Sequence, residues 1–231
     1  MPRLEIEYLA VYWVHALRAE IAQKPALAAA DLNWSISGLL DLAFGLETRL
    51  GNLGEIVVQV RENLQALNVE FDGARDYLDA LMADGRAYQI RDEAALRRTI
   101  ISLNAFVIEA RSCFETLARF YRLFVRNYFN EMVSEEGAYA KIAASVAAPG
   151  WAKELGLLRH EIVHGRSPWI RFDVRPTDPK YQPVLLLEYR ADVTPAPGDE
   201  VSLDSLASMR EHLRTASEKI RNELIERVRT L

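Results

Sequence analysis

The chain has 231 residues, of which 50% are hydrophobic and 26% are charged, and its formal net charge at pH 7 is -5. These values are typical of a globular protein with a sizeable core. The acidic balance excludes a broad attraction to nucleic acids or anionic membranes, so any site for a polyanion must be a local basic patch.

The single cysteine, Cys113, excludes an intramolecular disulfide and fits a reducing compartment. Residues 1–7 carry acidic side chains where a secretory signal peptide would be basic and then apolar. No apolar run approaches the roughly 18 residues of a membrane-spanning helix. We therefore expect a cytoplasmic protein that does not enter a membrane.

Apolar residues recur at helical spacing through the first third of the chain. The predicted helices cover residues 4–23, 31–50, 56–67 and 72–82. Gly51 and Gly54 are expected to interrupt the pattern between the second and third of these helices. Because this part contains no recognisable site, residues 1–88 are predicted to be a helical extension packed on the core.

The longest helical pattern begins after Asp92, a predicted N-cap, and its apolar stripe continues to Tyr128. Because helices of this length are uncommon in small globular proteins, we expect this one to be the central helix of a bundle. A shorter helix is predicted over 134–146, Pro149 is expected to open the next helix, and residues 203–228 form a closing amphipathic helix. Several arginines of the long helix are predicted to form a solvated face: Arg97, Arg98, Arg119, Arg122 and Arg126.

After Pro168 the spacing of the apolar residues changes from helical to alternating. Ile170 and Phe172 alternate with Arg171 and Asp173, which is typical of a β-strand. The sequence predicts a turn at 177–180 and a second, apolar strand after it. Together these elements predict a β-hairpin over about 169–190. The predicted fold class is mainly α: a helical bundle with this one inserted hairpin. Residues 89–231 are predicted to form the bundle proper and to make one compact unit together with residues 1–88.

Most of the reactive side chains are concentrated in residues 157–166, which read LLRHEIVHGR and contain two of the four histidines of the chain. On an ideal helix the apolar residues of this region form one stripe: Trp151, Leu155, Leu158 and Ile162. His160 and His164 lie roughly opposite this stripe, and Arg159 lies on its flank. These polar groups are therefore expected to face solvent, a cleft or a partner chain.

One motif in this segment is the HExxH of zinc peptidases. His160 and His164 would ligate the metal, and Glu161 would act as the general base. A third protein ligand is also needed, but no histidine follows at the metzincin spacing, and Arg166 would place a cation beside the metal. A zinc peptidase is retained as an alternative.

The second motif is Arg159-x4-His164, preceded by two leucines. It resembles the Arg-x4-6-His motif of the HEPN superfamily. The resemblance covers about residues 92–231, as a long helix, a shorter one, a motif helix that begins near a tryptophan, and a long closing helix. It implies a helical bundle that acts as a metal-independent endoribonuclease without a cofactor, with two motifs meeting across a homodimer.

The resemblance also implies roles for individual residues. Arg159 would stabilise charge on the scissile phosphate, His164 would act as general acid or base, and His160 would be a polar helper. Arg166 and Arg171 are candidates for substrate binding. The implied partners are RNA and a second copy of the chain, with an antitoxin or another operon product as a further candidate. Because many HEPN relatives do not cleave RNA, a noncatalytic RNA- or nucleotide-binding module or interaction scaffold is the main alternative.

Overall fold

The computed structural model describes residues 12–28, 38–74, 77, 90–163, 169–173, 182–186 and 200–231. Within these ranges the protein is a mainly α-helical bundle, which confirms the predicted class. The helices are α1 Tyr12–Ala22, α2 Pro25–Ala28, α3 Leu39–Gly73, α4 Glu93–Phe129, α5 Glu135–Ala144, α6 Trp151–Val163 and α7 Leu203–Arg229. None of these described helices combines the length and the apolarity that crossing a bilayer requires.

The N-termini of α4 and α5 follow from their capping residues. The backbone N–H of Ala95 donates to the Asp92 side chain at 2.8 Å, which confirms the predicted cap of α4. The Ser134 hydroxyl accepts from the backbone N–H of Gly137 at the start of α5. The prediction that Pro149 opens α6 is wrong, because Gly150 has a φ of 91°, outside the helical region. The helix therefore begins at Trp151.

Helix α3 is continuous over 35 residues, so the predicted interruption at Gly51 and Gly54 is wrong. A glycine inside a helix costs only about 1 kcal/mol relative to alanine. That cost is small beside the burial of the apolar stripe that runs past both glycines, which includes Leu46, Leu53 and Val57.

The chain divides into two compact units made of alternating segments. The first unit contains Met1–Asn52, Ala110–Ala152 and Glu211–Leu231, and the second contains Leu53–Glu109 and Lys153–Arg210. Helices α3, α4, α6 and α7 each contribute residues to both units. The expected role of residues 1–88 as an extension stays a prediction.

The first unit has an aromatic core on α4. Phe114, Phe120 and Phe124 are almost fully buried, and the ring of Trp13 in α1 meets Phe120 edge to face at 4.8 Å. At the surface of this unit, the Arg229 guanidinium contacts the Glu20 carboxylate, and hydrogen bonding to Arg229 lowers the pKa of Glu20. The end of α1 is thereby joined to the end of α7.

The second unit contains a three-stranded antiparallel sheet with the order β1-β2-β3. The strands are β1 Trp169–Asp173, β2 Gln182–Leu186 and β3 Glu200–Ser202. Trp169 pairs with Leu186, and Val184 pairs with Ser202. The sequence did not predict β3, because three residues are too few to show a period. The turn predicted at 177–180 lies outside the described residues, so a hairpin closed by that turn stays a prediction.

Candidate functional site

Helix α6 has one buried side and one exposed side. Trp151, Leu155 and Leu158 are buried, whereas Arg159 and His160 are exposed. This is the distribution expected from 100° of rotation per residue. Burial of the apolar stripe fixes the rotation of α6 about its axis, and the cationic and imidazole groups are consequently presented outward.

The first turn of α6 is anchored in the first unit through Trp151. Its indole N–H donates to the carbonyl of Ala143 at 3.1 Å. Its ring meets Phe114 edge to face at 5.5 Å and lies 5.8 Å from the ring of His212. A buried indole with a satisfied N–H fixes both the position and the orientation of a helix end.

The structure describes only part of the predicted site. Arg159 and His160 are brought together as exposed neighbours on α6. Arg171 lies in β1, where its backbone is paired with Val184, but its side chain is outside the described part of the chain. His164 and Arg166 also lie outside the described residues, as does the side chain of Glu161.

The zinc alternative depends on His164 and therefore also stays a prediction. Over the ranges that the structure describes, no group of three or more His, Cys, Asp or Glu side chains could hold a metal ion.

A second candidate site lies on the C-terminal part of α4, in the first unit. Arg119, Arg122 and Arg126 follow one another at helical spacing along one side of this helix. They lie at an open depression of about 310 Å³, which we call the arginine cleft. The residues that line the cleft are Arg119, Arg122, Leu123, Arg126, Glu131, Met132 and Val133.

The far wall of the arginine cleft is formed by a chain reversal at the end of α4. Asn130 adopts a left-handed backbone with a φ of 55°, a conformation that asparagine tolerates better than most residues. The N–H of Glu131 donates to the carbonyl of Val125 at 3.2 Å, and Nε of Arg122 donates to the carbonyl of Val133 at 3.1 Å. The segment after α4 is thereby held beside the helix, opposite the arginines.

The arginine cleft is positively charged overall. Its carboxylate, Glu131, already forms an ion pair with Arg227 at 2.6 Å. Arg119 and Arg126 are exposed, and neither has an ion-pair or hydrogen-bond partner among the described residues. Arg122 has a carboxylate oxygen of Glu135 at 3.7 Å, which is beyond hydrogen-bond distance. Two unneutralised guanidinium groups thus flank a third that the backbone holds in place.

An adjacent depression of about 420 Å³ shares Arg119 and Arg122 with the cleft but is electrostatically different. It also contains the carboxylates of Glu115 and Glu135. Glu115 pairs with Arg111 at 2.7 Å, and Glu135 accepts a hydrogen bond from the Tyr139 hydroxyl. Burial and this hydrogen bond raise the pKa of Tyr139 to about 12. The basic character is therefore confined to the arginine cleft.

The arginine cleft was not predicted from the sequence, because its arginines were expected to form a solvated face. Their spacing was visible in the sequence, and it separates them from the apolar stripe of α4. The missing information was the reversal at Asn130, which brings a wall of residues beside the helix.

Comparisons of the chain with models of protein families, with curated proteins and with solved structures gave no match. The resemblance to the HEPN superfamily therefore rests on the motif and the order of the helices.

Proposed function

We propose that the protein is a metal-independent endoribonuclease of the HEPN type, whose motif at residues 159–164 is paired across a homodimer. The observation that supports this proposal best is the side-chain distribution on α6. Arg159 and His160 are exposed on a helix whose opposite side is buried, so both groups are accessible to a large substrate.

The reaction uses a nucleophile that the substrate itself supplies. The 2′-oxygen of a ribose attacks the adjacent phosphorus, and the bond from phosphorus to the 5′-oxygen of the next nucleotide breaks. The products are a 2′,3′-cyclic phosphate and a 5′-hydroxyl. One proton leaves the 2′-hydroxyl and one is delivered to the 5′-oxygen, which are tasks for imidazoles with a pKa near neutrality.

Each motif residue has a role in this proposal. His164 transfers one of the two protons, and the His164 of the second copy transfers the other. Arg159 stabilises the negative charge that develops on the phosphate oxygens. His160 orients these groups, and Arg166 and Arg171 contact neighbouring phosphates of the RNA.

Pairing across a homodimer is supported by Leu157. This leucine is 51% exposed and lies three residues before His160, on the same side of α6. An exposed leucine beside a polar motif offers apolar area that a second copy can bury. We propose that the partner's α6 covers Leu157 when the two motifs meet.

The role of Arg159 can be tested by single-turnover cleavage of labelled RNA with Arg159→Ala, Arg159→Lys and Lys153→Ala. Loss of a group that stabilises the transition state is expected to lower the rate by about 10²–10³-fold for alanine. Lysine should restore part of the rate, because it keeps the charge but not the planar fork. Lys153, an exposed residue of the same helix, is the control and should have no effect. Unchanged cleavage in Arg159→Ala would contradict the proposal, and RNA binding without cleavage by the wild type would favour the noncatalytic alternative.

A further inference from the structure

We infer that the arginine cleft is a binding site for the phosphate groups of a single RNA strand. The cleft belongs to the first unit and contains none of the residues of the 159–164 motif. Binding at the cleft does not depend on cleavage of RNA, since the cleft has its own cationic and apolar lining residues.

The number and spacing of the cations suit a phosphodiester chain. Arg119 and Arg126 are seven residues apart, which separates their Cα atoms by about 10 Å along the helix axis at 1.5 Å per residue. Arg122 lies between them. A guanidinium has five N–H donors in a planar fork that matches the oxygens of a phosphate. The row of three can therefore contact more than one phosphate of an extended strand.

These donors are available for a ligand. Arg119 and Arg126 have no acceptor among the described residues, and Arg122 commits its Nε to the carbonyl of Val133. This contact holds the Arg122 side chain against the wall, and Nη1 of Arg122 lies 3.7 Å from a carboxylate oxygen of Glu135, an ion pair without a hydrogen bond. A guanidinium that the backbone already orders loses less conformational entropy when it binds an anion.

The wall opposite the arginines favours a nucleic-acid strand over a simple inorganic anion. Met132 is 86% exposed, an unusual degree for a large apolar side chain, and Leu123 and Val133 also line the cleft. Proteins that bind single strands combine a cationic groove along the backbone with side chains that contact the faces of the bases, most often aromatic rings. The thioether of Met132 is polarisable and adaptable, so it can contact any base without selecting one.

The neighbouring carboxylates limit the extent of the site. Glu131 is neutralised by Arg227, which also lies over the ring of Phe129 at 4.0 Å. On the other side of Arg122, the carboxylates of Glu115 and Glu135 would repel a strand that continued into the adjacent depression. A site limited to the arginine cleft accommodates only a few nucleotides.

A purely structural role would explain only part of this arrangement. Arg126 lies in the last turn of α4, where a cation interacts favourably with the helix dipole. Arg119 is two turns further back, where that interaction is weak. A role in helix stability also gives no reason for the exposed Met132 or for the wall that faces the three arginines.

The test is binding of a labelled 2′-O-methyl oligouridylate, measured by fluorescence anisotropy over a series of salt concentrations. The methylated 2′-oxygen cannot attack phosphorus, so binding is measured without cleavage. The variants are the Arg119→Gln/Arg126→Gln double variant, the control Arg97→Gln and the motif variant His164→Ala. Arg97 is also exposed on α4 but is paired with Glu93 at 3.3 Å.

The logarithm of the binding constant falls linearly with the logarithm of the salt concentration. Loss of two phosphate contacts should make this slope shallower by about 1.4, which corresponds to about 25-fold weaker binding at 0.1 M salt. Arg97→Gln should bind like the wild type, and the arginine variants should keep the wild-type circular dichroism because Arg97, Arg119 and Arg126 are exposed. The inference is overturned if the double variant binds with unchanged affinity and salt dependence, or if the wild type does not bind.

Displacement of the RNA by oligoglutamate as readily as by unlabelled RNA would assign the cleft to an acidic protein segment instead. If His164→Ala abolishes cleavage but leaves this binding intact, the motif and the cleft are separate functions.

Discussion

Trp151 and Phe114 meet edge to face, with ring centroids 5.5 Å apart and ring planes at 80°. Trp151 is the first residue of α6, and both aromatic residues are buried in the first unit. The helix that carries Arg159 and His160 therefore begins at a fixed aromatic contact. The exposure of Arg159 and His160 follows from the burial of Leu155 and Leu158 on the other side of this helix.

Replacement of Trp151 should separate its packing from its hydrogen bond. Trp151→Ala removes a buried ring and should lower the free energy of unfolding by about 3–5 kcal/mol. Trp151→Phe keeps most of the packing but leaves the Ala143 carbonyl without its donor, so we expect a loss of about 1–3 kcal/mol. Urea denaturation of the two variants measures both values. Equal losses would show that the contact with Phe114 contributes little.

The left-handed residue Asn130 should be sensitive to the backbone preference of its replacement. Asn130→Ala should lower the free energy of unfolding by about 1 kcal/mol, because alanine tolerates a positive φ less well than asparagine, whose short polar side chain is able to hydrogen-bond locally. Asn130→Gly is the matched control and should stay within about 0.5 kcal/mol of the wild type. Thermal denaturation of the pair checks this, and a larger loss for glycine than for alanine would contradict the assigned conformation.

Tyr139 should make the protein less stable in alkali. Its pKa is raised from 10.0 to about 12 in the folded protein, so folding favours the protonated hydroxyl. The resulting stabilisation is fully present below pH 10 and is lost as the pH rises from 10 to 12. Tyr139→Phe cannot ionise, so the difference in unfolding free energy between wild type and variant should shrink over this range. Urea denaturation at several pH values measures the difference, and a constant value would contradict the raised pKa.

The homodimer proposal predicts that Leu157→Glu disrupts dimerisation and cleavage together. Introducing a charge at an apolar contact is unfavourable unless the charge is paired. Val69, which is 71% exposed on α3, provides the control Val69→Glu. Sedimentation should show a monomer for Leu157→Glu and a dimer for Val69→Glu. A wild type that is strictly monomeric would contradict the composite site.

A helix could be predicted from the sequence where its apolar pattern and its capping residue indicate the same boundaries. Asp92 caps α4 as predicted, and the spacing of the apolar residues predicted α7 over 203–228, close to the observed Leu203–Arg229. Local rules failed at Gly51 and Gly54, where the intrinsic cost of glycine is smaller than the stabilisation from the buried stripe of α3. They also failed at Pro149, because the positive φ of Gly150 delays the helix start.

The candidate sites were predictable only to the level of helical faces. The exposure of Arg159 and His160 follows from the position of Leu155 and Leu158 in the sequence. The arginine cleft depends instead on a contact between Arg122 and Val133, eleven residues apart and on either side of a left-handed turn. No periodic pattern encodes that reversal, so the same arginines looked like an ordinary solvated surface.

The most direct test of the proposed function is cleavage of a labelled RNA panel in excess chelator by the wild type and by His164→Ala. The proposal predicts that only the wild type cleaves, leaving 2′,3′-cyclic phosphate and 5′-hydroxyl ends. Cleavage by His164→Ala at the wild-type rate would contradict it, as would loss of wild-type activity on chelation, which would favour the zinc alternative. Absence of cleavage by folded, dimeric wild-type protein would contradict it as well and would favour a noncatalytic RNA-binding protein.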